Sequence, residues 1–229
     1  MPLVQGTEAE LACLVNSTAV VLAGGFSQRL GKEKPLLLLA GKPLIRHVLD
    51  AVDRVVDEKI VVVASETQIG IYRKVLGSGV SVTVDKGDMH GPLVGAMSGL
   101  VQASGDYTAL LPCDTPFLSR EVLKLLFDLC RGRSAAIPRW PDCKIEPLQA
   151  VYRTELALKS AEKALAEGKV NIQAMIDDLQ GVRYVSTLVL EQLDAELLTF
   201  FNINTPLDLK KAETIIKHQK THRSAIHSQ

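Results

Sequence analysis

The chain has 229 residues, enough for one substantial domain or one domain with a small appendage. Hydrophobic side chains make up 47% and charged ones 23%, with 26 basic and 26 acidic residues cancelling to a formal net charge of zero. That balance disfavours polymeric nucleic acid as a partner, since binding it calls for a basic excess, while leaving room for a nucleotide held by a few local cations. The four cysteines, Cys13, Cys113, Cys130 and Cys143, form no Cys-x-x-Cys pair and match no zinc spacing, which suits a reducing compartment. The opening MPLVQGTEAELACLVNS lacks the basic and apolar regions of a signal peptide, and no apolar run is long enough to span a bilayer. The expectation is a cytoplasmic protein with no membrane partner.

Residues 1–16 carry weak helical character and read as an N-terminal extension. Thr18 to Ala23 is an apolar run stopped by Gly24-Gly25, the pattern of a buried strand. Pro43 to Val56 has helical periodicity, with Leu44, Val48, Leu49 and Val52 on one side. Lys59 to Ala64 is a second solid strand, followed by a helix from about Thr67 to Leu76. Val80 to Val84 alternates, is β-branched and ends at Asp85. Gly91 to Ala103 can form a helix, and Tyr107 to Leu111 is a strand running into Pro112-Cys-Asp114. Ser119 is a fair N-cap for a helix through Cys130, and Ala135 to Ile137 is a short strand. Solid strands alternating with helices imply a parallel sheet covered on both faces, with ligands bound past the carboxyl ends of its strands. The pattern then changes. Strands are expected at Pro147–Tyr152, Tyr184–Thr187 and Phe200–Ile203, and helices at Thr154–Glu167, Asn171–Leu179 and Pro206–Lys217. The polar stretch 218–229 reads as a frayed tail, leaving a single domain over 17–217.

The chemistry concentrates in Leu22-Ala-Gly-Gly-Phe-Ser-Gln-Arg-Leu-Gly-Lys-Glu-Lys34, directly after the first strand. Glycines let the backbone turn sharply and bring N–H groups close to an anion. Arg29 can pair with phosphate oxygens and Lys34 can place a point charge on them. Walker A spacing is excluded, because five residues separate Gly25 from Gly31 and Lys32-Glu33 follows; no Gly-x-Gly-x-x-Gly occurs either.

The pattern Leu22-Ala-Gly-Gly-x-Ser-x-Arg-x-Gly-x-x-Lys34 resembles the signature loop of the nucleotidyltransferase A superfamily. Gly91-Pro-Leu-Val-Gly95, Pro112-Cys-Asp-Thr-Pro116, Glu146-Pro-Leu148 with Tyr152, and Asn202-Ile-Asn-Thr-Pro206 are similar to segments of the molybdenum cofactor guanylyltransferases, in the same order and across residues 18–209. The resemblance implies a Rossmann-like three-layer α/β sandwich of the nucleotide-diphospho-sugar transferase type, with a mostly parallel central sheet. It implies transfer of GMP from Mg²⁺-GTP to molybdopterin cofactor with release of pyrophosphate. Transient contact with cofactor-synthesis proteins goes with that chemistry. A cytidylyl- or uridylyltransferase acting on molybdopterin, a sugar phosphate or an isoprenoid precursor is a near alternative, and a non-catalytic nucleotide-binding domain a more distant one.

By the same resemblance Asp114 is the Mg²⁺ ligand; on the residues alone it equally reads as a turn-forming aspartate between two prolines. Asp85 is matched to a nucleotide contact, its local alternative being a turn before Lys86-Gly87-Asp88. Gly91 to Gly95 offers backbone to the guanine or phosphates, or simply starts a helix with Pro92 in its first turn. Where a base- or ribose-contacting asparagine is expected after the second strand, Ala64-Ser65 stands instead, with Ser65 as the candidate substitute. Asn202 and Asn204 would share one face of a strand and converge on the acceptor phosphate or the metal, or else belong to a turn before Thr205-Pro206. Glu146 is a candidate acceptor contact, and His90 reads as a solvated loop residue. The expected mechanism has the backbone amides of residues 23–27 (Ala23, Gly24, Gly25, Ser27 among them, beside Leu22) holding the triphosphate. Arg29 and Lys34 stabilise transition-state charge, and no general base is needed because a phosphate monoester is already anionic.

Overall fold

The computed structural model describes residues 16–24, 33–85 and 89–226, with side chains described to residue 219. Strand β1 (Ser17–Leu22) is buried along nearly its whole length. A 3-10 turn (Lys34–Leu36) and a short hairpin, β2 (Leu38–Leu39) and β3 (Lys42–Pro43), lead into α1 (Leu44–Val52). That helix stops four residues before the expected Val56, because Arg54 takes a left-handed φ of 63°. Val55 and Val56 still pack on the core, which is why they continued the apolar pattern without continuing the helix.

The alternation then runs as expected through β4 (Glu58–Val63), α2 (Glu66–Leu76), β5 (Ser81–Val84), α3 (Pro92–Gln102), β6 (Tyr107–Pro112), α4 (Arg120–Cys130) and β7 (Ala135–Arg139). Ser119 caps α4, its hydroxyl accepting from the Val122 N–H at 3.3 Å. Strand β8 (Ala150–Arg153) begins three residues later than expected. Next come α5 (Thr154–Ala166), α6 (Ile172–Asp178), β9 (Val182–Ser186) and the unanticipated single turn α7 (Thr187–Leu190). Phe200–Ile203 is not a strand. A 3-10 turn covers Leu198–Phe200 and the following residues run unpaired, tied to the sheet by the Ile203 N–H bonding Asp114 O at 3.0 Å. The last helix, α8 (Pro206–Ile226), continues nine residues beyond Lys217, so the tail expected to fray is helical as far as Ile226.

The sheet order is β5-β4-β1-β6-β8-β7-β9. β1 lies parallel to both β4 (Val20 opposite Ile60) and β6 (Val20 opposite Leu110), and β8 alone runs against its neighbours. The two-residue period of the strands divides the interior in two. Val21, Val61, Val63 and Leu111 face α1, α2 and α4; Val20, Ile60, Val62 and Leu110 face α3, α5 and α6. This is a three-layer sandwich with a mostly parallel sheet. A third cluster, Leu39, Leu44, Ile203 and Ala212, packs the hairpin against α8. From β1 the chain crosses to β4 and then β5 on one side, and from β5 it returns through α3 to β6 on the other side of β1; this reversal of strand order between β1 and β6 opens a crevice at their carboxyl ends. Among the described residues no helix is long and apolar enough to cross a membrane.

Candidate active site

A cavity of about 610 Å³ occupies that crevice. Its lining comes from the ends of four parallel strands: Leu22 and Gly24 after β1, Val62 and Ala64 at β4, Asp85 after β5, and Pro112 to Asp114 after β6. His90, Gly91, Pro92 and Gly95 at the start of α3 close one side, with Leu148 and Lys34 completing the lining.

Lys34 is the centre of the charged cluster. Pro35, buried behind it, sets the tight turn that aims the amine. Its Nζ donates to Asp114 Oδ2 and, at 2.8 Å, to Asn204 Oδ1. The two charged side chains are only 12% and 14% exposed, so their pairing is poorly screened. Asp114's other oxygen, Oδ1, is buried with no hydrogen-bond partner. An unsatisfied carboxylate oxygen costs on the order of 1–3 kcal/mol or more, the kind of expense that functional sites retain.

Asn204 is delivered by the start of α8. Asp208 Oδ2 accepts from the N–H groups of Asn204 (3.1 Å) and Thr205 (2.8 Å) and from the Thr205 hydroxyl (2.8 Å), while the Asp208 N–H bonds Thr205 Oγ1 at 3.2 Å. This reciprocal cap fixes the chain leaving the site. Asn202 does not share the arrangement. With no strand to align the pair, its amide turns back to Phe200 O at 3.2 Å.

Asp85 borders the cavity, and its Oδ1 is also buried without a partner. Burial holds its carboxyl above the ordinary aspartate range, with His90 acting weakly the other way. His90 is exposed, as read from sequence, and also borders the cavity; its adjacency to Gly91 was the signal for that. Cys113 also lines the cavity, but its thiol is pushed up to about 12 by burial first and the charge of Asp114 second. It is a packing group with no thiolate to offer.

Other expected contacts separate from the cavity. The Ala23 N–H bonds Val62 O at 2.8 Å and its side chain is in the core, so an amide cradle can begin only at Gly24. A Cβ on Gly24 would sit 3.4 Å from the Ala64 N, an ordinary contact, so packing against β4 does not by itself require glycine there. Gly25, Ser27 and Arg29 lie outside the described residues. Ser65 caps α2 and shares its hydroxyl with Thr67 at 2.8 Å; it is not among the lining residues. Glu146 is likewise not among them, and its carboxylate accepts from Trp140 Nε1 at 2.7 Å. Leu148, two residues on, does reach the cavity. Gly91 is explained by packing: a Cβ there would fall 2.6 Å from Val170 O.

Among the described residues there is no cluster of three His, Cys, Asp or Glu side chains able to cage an ion. The hard oxygen donors present are Asp114 Oδ1, which has no partner, and the amide oxygen of Asn204; together with phosphates, such donors are the kind that can hold a divalent ion.

The comparisons with known proteins agree in their direction. Residues 19–182 fit the family model for the MobA-like NTP transferase domain. The "Probable molybdenum cofactor guanylyltransferase" of Methanosarcina mazei is 36% identical over 208 residues, covering 89% of this chain and 91% of that protein. The molybdenum cofactor guanylyltransferase of Desulfosudis oleivorans is 34% identical, covering 87% and 96%. The crystal structure of molybdopterin-guanine dinucleotide biosynthesis protein A from Archaeoglobus fulgidus superposes with a TM-score of 0.75 at 31% identity, over 88% of this chain and 99% of that one. With the family model matched over residues 19–182 and these relatives aligned along nearly nine-tenths of it, the chain belongs to the MobA-like NTP transferase family.

Proposed function

We propose that this protein transfers GMP from GTP to the phosphate of molybdopterin cofactor, forming the guanine dinucleotide cofactor and pyrophosphate. The observation that carries the reading is the Lys34 ammonium held between Asp114 and Asn204 at the mouth of a cavity large enough for a nucleotide. Relatives named for guanylyl transfer over almost the full chain support the choice of nucleotide and acceptor.

In-line attack of an acceptor phosphate on the α-phosphorus needs positioning and charge neutralisation more than covalent help. Lys34 supplies a fixed positive charge that costs no reorganisation when negative charge moves toward the pyrophosphate. Gly24 lets the triphosphate approach the backbone, and Arg29 on the same loop is assigned a second phosphate contact. Asp85 and the start of α3 around Gly91 form the wall assigned to the base. Mg²⁺ is assigned to Asp114 Oδ1 with Asn204 beside it, where it would neutralise phosphate charge and polarise the leaving group.

Lys34→Ala and Asp114→Ala test the reading. Each is expected to lose roughly 100-fold or more in pyrophosphate release while keeping the wild-type circular dichroism spectrum. Near-normal rates in both would remove these residues from the chemistry.

A further inference from the structure

Gln68 is a polar side chain only 8% exposed, on the first turn of α2 behind the cavity wall. Its amide has three partners on two segments. Oε1 accepts from the N–H groups of Ala64 at 2.9 Å and Ser65 at 3.2 Å. Nε2 donates to Glu33 Oε1 at 2.9 Å, across 35 residues of sequence. The orientation of the amide is dictated by these neighbours. Two backbone donors demand the oxygen, so the NH₂ must face residue 33, and residue 33 must therefore be an acceptor. Glu33 satisfies that demand. A glutamate at 68 would serve the helix cap equally well, since Glu and Gln both occur at this capping position. It would, however, set one carboxylate against another. The choice of glutamine is thus explained by Glu33 and not by the helix.

Glu33 immediately precedes Lys34, and its carbonyl accepts the Leu36 N–H at 3.0 Å to close the turn on which Lys34 sits. Tyr72 lies one turn beyond Gln68 on the same face of α2, fully buried, and the charge of Glu33 is among the influences that raise its phenol. Glu33 is therefore drawn into the protein toward α2 and does not point to solvent. We infer that Gln68 is a positioning residue for the transfer reaction, a strut that ties the wall after β4 to Glu33 and thereby holds Lys34 in reach of Asp114. The inference rests on the assignment of Lys34 to the triphosphate.

The test is a polarity swap. Gln68→Glu keeps the acceptor for Ala64 and Ser65 but faces Glu33 with a like charge. It is expected to lower kcat/KM for the triphosphate by 10-fold or more, measured well below the unfolding midpoint. Adding Glu33→Gln to Gln68→Glu rebuilds the link with donor and acceptor exchanged and is expected to return kcat/KM to within about threefold of wild type. Glu33→Ala, which leaves the α2 cap intact, should lose activity as Gln68→Glu does. A readout independent of turnover is amide hydrogen exchange at Leu36 and Leu37, whose N–H groups bond Glu33 O and Lys34 O. Exchange should quicken in both single variants and slow again in the double. Exchange unchanged in both single variants overturns the strut whatever the enzyme's substrate proves to be. So does a double variant no better than Gln68→Glu. A wild-type enzyme inert toward every triphosphate, with the exchange pattern as expected, would instead count against the assigned reaction alone.

Discussion

Asp85 and Asp114 show the same signature at the level of single atoms. Each is an aspartate at a strand end, partly withdrawn from water, with one oxygen left without a partner. The two differ in compensation. Asp114 has a lysine on its other oxygen, whereas among the described residues no cation is paired with Asp85, and burial outweighs the opposing influence of His90. Asp85 therefore bears a net desolvation cost, and Asp85→Asn should raise the unfolding free energy at neutral pH by about 1 kcal/mol, a shift of ~2–4 °C in Tm, while lowering turnover. The pH dependence follows from the raised carboxyl. The folded state holds this proton more tightly than the unfolded one, so wild-type stability falls as pH rises from the ordinary aspartate range through the elevated folded value. Asp85→Asn should flatten that slope in thermal melts taken across the acidic range. A Tm below wild type at neutral pH would show that the carboxylate is structural.

Helix α3 illustrates how an element is placed by what it lacks. Gly95 and Gly99 lie on one face, and a Cβ at 99 would come within 2.3 Å of Val20 Cγ1 on β1. Alanine in mid-helix gains up to ~1 kcal/mol of propensity, but overpacking of this kind costs ~1–3 kcal/mol. Gly99→Ala should therefore destabilise on balance, by about 1 kcal/mol in urea melts, and shift α3 away from the cavity it borders. The start of α8 is placed by a cap instead. The Thr205 hydroxyl, first among its partners, holds the Asp208 carboxyl below the usual aspartate range. The cap's stabilisation is thus present above the ordinary aspartate pKa and lost as pH falls through the lower folded value. Asp208→Ala should cost about 1 kcal/mol and, by loosening Asn204, reduce turnover more than that loss of stability explains.

At the scale of the whole molecule, the β-α alternation from Ser17 to Arg139 was legible because its strands are solid apolar runs and its helices carry 3.6-residue periodicity. What lay beyond periodicity was set by contacts distant in sequence. Ile203 alternates with asparagines like a strand residue, yet it joins no strand of the described sheet, and its N–H goes to Asp114 O. The hairpin Leu38–Pro43 has a two-residue turn with Ala40 and Gly41 at positive φ, a signal too short to stand out. Of the residues that motifs carried, Lys34, Asp85, Asp114 and Gly91 border one cavity, while Asn202 and Glu146 do not. Ser65 and Glu146 were drawn elsewhere by a helix cap and a tryptophan, and the Glu33–Gln68 link joins two residues that neither spacing nor motif could connect.

The proposed reaction seats a nucleoside triphosphate at the carboxyl ends of β1, β4, β5 and β6 and passes its nucleoside monophosphate to a phosphorylated acceptor. The most direct measurement is to incubate the purified protein with Mg²⁺, molybdopterin cofactor and each of the four nucleoside triphosphates in turn, and to weigh the product by mass spectrometry. A GMP adduct formed from GTP with one pyrophosphate released is the predicted result; an adduct formed from another triphosphate in preference, or none from any, would contradict it.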